Sequence, residues 1–194
     1  MVFNDPALRV TAEAVLAQLV SESGCDGTPK TFAVDKTKEG FIFKMVTKEE
    51  LRTKRAFHIK FRGFLSALQR DAFDGSALIG KICDRNFKTV QTLSPYHRVD
   101  RNKCFFYFDP SISKAMRTGL QEWLVPQGCS TRKDYFLLDN EGLLEFGLVT
   151  AAYSKENREI LARELPNLKR SLGSKETVAI RVFDLNYETL GVIR

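Results

Sequence analysis

Histidine and tryptophan are nearly missing from this chain, with two of the first and one of the second. An imidazole-based nucleophile pair or metal site would have to draw on His58 and His97 alone, and neither sits at ligand spacing. Cysteine is sparse. Cys25, Cys83, Cys104 and Cys129 are widely separated, no two have metal-finger spacing, and all four are expected as thiols of a reducing compartment. No stretch reaches the ~18 uninterrupted apolar residues of a membrane span, and no basic segment followed by an apolar run marks a leader. G-x-S-x-G, G-x-G-x-x-G, the P-loop and H-E-x-x-H are all absent. The acidic pairs Glu49–Glu50 and Asp139–Glu141 sit where a helix start and a turn use them anyway. No internal repeat or low-complexity tract is visible. These absences point away from an enzyme: no catalytic residue, cofactor or metal ligand is expected.

What the chain does have is phenylalanine and unevenly placed charge. Fifteen Phe and 43% hydrophobic residues in 194 are enough for a core. The formal net charge is +6, but it is concentrated. Residues 48–133 carry 17 Lys and Arg against 8 Asp and Glu, whereas the segments on either side are slightly acidic. A concentrated positive field most often meets a polyanion, either nucleic acid or an acidic membrane surface.

Residues 6–23 read as a helix, with Asp5 able to cap it, Pro6 in its first turn and Gly24 at its end. After the loop that follows, Thr31–Lys36 and Gly40–Val46 read as strands. Thr47 and Glu50 form a capping-box pattern for a short helix through Lys54. Arg55–Arg62 alternates, with Phe57, Ile59 and Phe61 on one side and His58, Lys60 and Arg62 on the other, which predicts a strand with a buried face and a basic face. Gly63–Gly75 fits either a connecting helix or an irregular turn. Ala77–Asp84 and Phe87–Ser94 predict strands around Asp84-Arg85-Asn86, and Cys104–Phe108 predicts another, with His97 in a polar loop between them. Ser113–Leu124 has helical spacing. Tyr135–Leu138 and Leu143–Tyr153 predict strands, Ser154–Leu165 a helix stopped by Pro166, and Thr177–Phe183 and Thr189–Ile193 strands. Many short strands without regular strand–helix alternation predict a mainly β fold with inserted α-helices. The expected form is an antiparallel β-sandwich, jelly-roll-like, as a single core domain over 31–194 preceded by a helix and linker over 1–30.

Lys48, Arg52, Lys54, Arg55, Lys60 and Arg62 fall within fifteen residues. Arg85, Lys88, Arg98, Arg101 and Lys103 follow. Lys and Arg neutralise phosphates without sequence preference, and interleaved aromatics could stack bases. The candidate nucleic-acid-binding residues are therefore Lys54, Arg55, His58, Lys60, Arg62, Arg85, Lys88, Arg98, Arg101 and Lys103. Phe57, Phe61, Phe105, Phe106 and Phe108 read as core.

Ile82-Cys83-Asp84 ends an apolar strand and lies 58 residues before Gly142. This resembles the signature of the plant-virus cell-to-cell movement proteins of the 30K superfamily, Leu-x-Asp followed by a distant Gly, here with Ile in the first position. Arg55–Arg62, Leu93–Tyr96, Lys103–Ser113 and Gly142–Tyr153 resemble that family's flanking elements, so the likeness covers about residues 40–155. It implies a jelly-roll core and binding of single-stranded nucleic acid, with RNA favoured. It also implies self-association, host plasmodesmal or endomembrane partners, no transmembrane segment, and residence in host cytoplasm and plasmodesmata. Asp84 and Gly142 are expected to be architectural: an Asp at a strand end accepts turn N–H groups, and a Gly opening a strand permits positive φ. Two other readings use the same features. One is a coat or matrix protein that self-assembles. The other is an RNA-silencing suppressor that recognises duplex RNA by shape.

Overall fold

The computed structural model describes residues 13–15, 17, 31–101, 103–124, 133–140 and 142–194. Most of the expected helix over 6–23 lies outside these, although residues 13–15 are helical and Val15 is buried. The chain divides into two compact units, Met1–Tyr96 and His97–Arg194.

In the first unit the strands are β1 (Phe32–Lys36), β2 (Phe41–Val46), β3 (Leu78–Cys83) and β4 (Thr89–Leu93). Helices α1 (Glu49–Arg52) and α2 (Arg55–Asp71) connect β2 to β3. The sheet order is β1-β2-β3-β4. Each hairpin is antiparallel, while β2 and β3, joined through the helices, are parallel. A parallel pair needs a crossover, and α2 supplies it by running back across one sheet face. Phe43, Leu78 and Ile82 on that face pack with Phe61, Leu65 and Leu68 of the helix. Gly80 lets the helix sit close, since a Cβ there would be 2.3 Å from Leu65 Cδ1.

The second unit follows the same rule. Its strands are β5 (His97–Arg101), β6 (Cys104–Phe108), β7 (Lys133–Asn140), β8 (Leu143–Val149), β9 (Thr177–Phe183) and β10 (Thr189–Ile193). Helix α3 (Lys114–Leu124) joins β6 to its parallel neighbour β7, and α4 (Lys155–Leu172) joins β8 to its parallel neighbour β9. Phe106, Phe108, Leu137, Phe146 and Ile180 pack with Leu120, Leu124, Leu168 and Leu172 of the helices. The two helices nearly touch at Gly119, where a Cβ would lie 2.0 Å from the Ser171 carbonyl oxygen.

The mainly β class with several helices is as expected. The sheets, however, are mixed rather than antiparallel. Their strands run in sequential order, without the exchange that makes a Greek key or jelly roll. Four local expectations are also corrected. Arg55–Arg62 is the first half of α2, because Phe57, Phe61, Phe64, Leu65 and Leu68 continue a helical stripe that the short alternating window hid. The capping box at Thr47 does not form: Lys48 is the N-cap of α1 and makes no side-chain cap bond. Pro166 lies inside α4, which runs on to bury Leu168 and Leu172. Cys104 is disulfide-bonded, not a thiol, while Cys83 is a free, buried thiol.

An internal repeat is present after all. β1-β2-α2-β3-β4 and β7-β8-α4-β9-β10 share one topology. Val34 opposes Phe43 as Leu137 opposes Phe146, and Gly80 opposes Leu93 as Ile180 opposes Ile193. In the closing hairpins equivalent residues are 100 apart, yet only Asp84/Asp184, Asn86/Asn186 and Thr89/Thr189 are identical among them. Some of the rest exchange within class, as in Ile82/Val182 or Phe87/Tyr187, and others change class, as in Arg85/Leu185 and Lys88/Glu188. Substitution within a hydrophobic class preserves the fold while erasing the repeat from the sequence.

Candidate nucleic-acid interface

The parallel pairing of β2 with β3 decides where the charge goes. Val46 and Cys83 end the two strands side by side, and the Thr47 N–H donates to the Cys83 carbonyl at 3.1 Å. The segments leaving both strands therefore start from one end of the sheet. Lys48 opens α1. Arg52 Nη2 returns to the Thr47 carbonyl at 3.0 Å. Lys54 is the N-cap of α2 and Arg55 its first residue. From β3 the turn carries Arg85 and Lys88. Lys48, Lys54, Arg85 and Lys88 are exposed, and Arg52 and Arg55 are half-buried. Glu49 and Glu50 lie there too, exposed on α1.

The carboxylate of Asp84 is held by the turn. Its Oδ1 accepts from the backbone N–H of Asn86 and of Lys88, both at 2.9 Å. The Phe87 N–H donates to the Asp84 carbonyl, and Phe87 takes a left-handed φ of 59°. This is a three-residue hairpin loop closed by a bulge. Asp184 repeats it, accepting from Asn186 and Glu188 at 2.8 and 2.9 Å, with Tyr187 at φ 66°. Gly142, at φ 87° with open space around the missing Cβ, serves a tighter loop between β7 and β8. Lys103, at φ 68°, holds the matching place between β5 and β6. Asp84 and Gly142 thus belong to two turn types that each recur among the described residues.

At the start of α2 the macrodipole adds to the basic side chains. The first turn has no acidic residue, and no side chain caps it. Cations at a helix N-terminus are unfavourable by about 0.3–1 kcal/mol each, and an anion there is favourable.

Within the first unit, His58, Lys60 and Arg62 do not join this group. His58 is half-buried, one of its ring nitrogens 2.6 Å from the Arg52 carbonyl oxygen. Lys60 is exposed further along α2. Arg62 is half-buried. Its Nε donates to the Ser94 carbonyl at 2.9 Å and its guanidinium stacks 3.9 Å from the Tyr96 ring centre, fixing the segment after β4. The expected basic strand face of His58, Lys60 and Arg62 does not exist, because these residues wind around a helix. In the second unit Arg98 forms a two-point ion pair with Asp100 at 2.7 and 3.1 Å and lies over Phe105. Arg101, the last residue of β5, and Lys103, in the β5–β6 loop, are exposed. His97 lies in β5 rather than in a loop. Partial burial, and then the nearby Arg117, lower its pKa from 6.5.

The sequence reading missed a buried polar network on the sheet face of the second unit opposite its helices. Glu145 is 2% exposed. It accepts from Arg181 Nε at 2.5 Å, Arg181 Nη2 at 3.1 Å and Asn140 Nδ2 at 2.6 Å. Nearby, the Tyr187 hydroxyl donates to Asp134 at 3.0 Å. The available signal was one acid and one base, each alone in an apolar strand (GLLEFGLV and TVAIRVF).

Among the described residues no helix is long and apolar enough to cross a membrane. Comparison with protein-family models, with curated proteins and with solved structures finds no match.

Proposed function

We propose that the protein binds single-stranded nucleic acid, RNA in the first instance, through backbone phosphates at the end of the first sheet where β2 and β3 stop. One observation carries this reading: Lys48, Lys54, Arg85 and Lys88 come from separate segments and lie exposed at that one end, beside an uncapped helix N-terminus. Phosphate contacts of this kind give affinity without sequence preference. That is the property needed to carry a viral nucleic acid between plant cells, the role that the likeness to movement proteins implies. The reading rests on charge and on that likeness, and not on a jelly-roll fold.

Fluorescence anisotropy of a labelled single-stranded RNA across a salt series tests it. Four phosphate contacts give a slope of about −3 in log affinity against log salt. Lys54→Glu with Arg85→Glu should lower that slope by about half and weaken unrelated sequences alike. A double variant that folds normally and binds as wild type at every salt concentration refutes the proposal. A duplex that competes as well as the single strand would favour the silencing-suppressor reading instead. Tagged protein in leaf epidermis then tests transport, with paired spots at cell walls expected and a diffuse signal counting against it.

A further inference from the structure

We propose that Phe87 is a base-stacking residue, the element of this interface that selects nucleobases rather than phosphates; the inference rests on the nucleic-acid reading above. The argument begins with the backbone. Phe87 occupies the left-handed position of its loop, a place where glycine is the least strained residue and a bulky side chain is uncommon. The equivalent Tyr187 accepts the same strain and uses its ring. That ring meets Phe136 edge-on at 5.7 Å, and its hydroxyl reaches Asp134. The side chain thus anchors the loop to its own sheet. In the first unit the backbone is the same and the outcome differs. Phe87 stays 39% exposed.

The flanking residues differ in the same direction. In sequence Leu185 and Glu188 flank the docked ring, whereas Arg85 and Lys88 flank the exposed one. The Asp84 carboxylate, by fixing the Asn86 and Lys88 N–H groups, holds the loop rigid beneath it. A rigid aromatic between two cations suits a flexible single strand. The cations take successive phosphates and the ring takes the face of an unpaired base. A duplex hides those faces.

Three proteins and two probes test this. The probes are a mixed-sequence single strand and an abasic strand of the same length, which keeps the phosphates and lacks the bases. Phe87→Gly relieves the left-handed strain, so its melting temperature should equal or exceed that of wild type. It should nevertheless bind the base-bearing strand about 5- to 150-fold more weakly, the range that one stacked base is worth. Its salt slope and its affinity for the abasic strand should match wild type. Phe87→Trp should restore binding of the base-bearing strand. If Phe87→Gly binds that strand as wild type does, while wild type keeps the expected salt slope, the stacking role is overturned and the phosphate reading stands. If wild type binds neither strand, both fall together.

Discussion

Removing the carboxylate of Glu145 should be among the most costly single changes in the second unit. The Arg181 side chain is 17% exposed and its two bonds to Glu145 are its main compensation. Glu145→Leu leaves that guanidinium facing an apolar side chain and removes the acceptor of Asn140 as well. Breaking a buried pair from one side costs about 3–5 kcal/mol. In a chain of this length each kcal/mol moves the melting temperature by about 2–4 °C, so a fall of roughly 6–20 °C is expected. Arg181→Met should cost at least as much, since it strands a carboxylate that is almost wholly enclosed. The double variant, Leu with Met, should return to within about 1 kcal/mol of wild type, because apolar residues of similar volume can replace a buried pair. The single tryptophan gives the readout. Trp123 packs edge-on against Phe146 at 5.6 Å, so its fluorescence follows the core of this unit during urea unfolding. The reasoning fails if Glu145→Leu costs less than about 1 kcal/mol, or if the double variant loses the sum of the two single losses.

Asp84→Ala and Asp184→Ala should each cost about 1–3 kcal/mol, and by similar amounts, because each carboxylate satisfies the same two loop N–H groups; circular-dichroism melts that separate them widely would show that the two loops are not equivalent. Gly119→Ala should destabilise by about 1–3 kcal/mol through the clash with the Ser171 carbonyl, and an unchanged melting curve would contradict the close approach of α3 and α4. For His97 the folded state binds a proton less readily than the unfolded chain. Its contribution is therefore complete above pH 6.5 and is lost as pH falls through that value towards the lower folded one. An NMR titration should place His97 below 6.5 and Arg117→Gln should raise it, whereas a midpoint at or above 6.5 in wild type would refute the assignment.

Much of the strand content was legible, and the reason is local. Cys104–Phe108, Thr177–Phe183 and Thr189–Ile193 fall where the sequence places them, because each is apolar or alternating and bounded by turn residues. β5 was invisible: HRVDR has one apolar residue, as befits a polar strand at the sheet edge. The Phe57, Ile59, Phe61 alternation misled because Phe57 and Phe61 also stand one helical turn apart, and only a longer window separates the two periods. The charges at the candidate interface were legible one by one. Their meeting was not, because it depends on β2 and β3 being parallel, which no local pattern encodes. Phe87 was passed over for the same reason, since its contrast with Tyr187 appears only once the repeat is seen.

The sequential strand order has a consequence for how this chain folds. Every strand among the described residues pairs with the strand before or after it in the chain, so the hairpins close locally and only the parallel pairs wait for a segment beyond a crossover helix. Chains whose contacts are local fold faster than those built from long-range pairings, and a hairpin closes in about 1–10 μs. The slower events are the three crossovers, each of which must lay a helix on the growing sheet before the next hairpin can dock in parallel. Refolding should therefore outpace that of a β-sandwich of equal size. During synthesis, each hairpin within a unit after the first finds the edge it needs already in place.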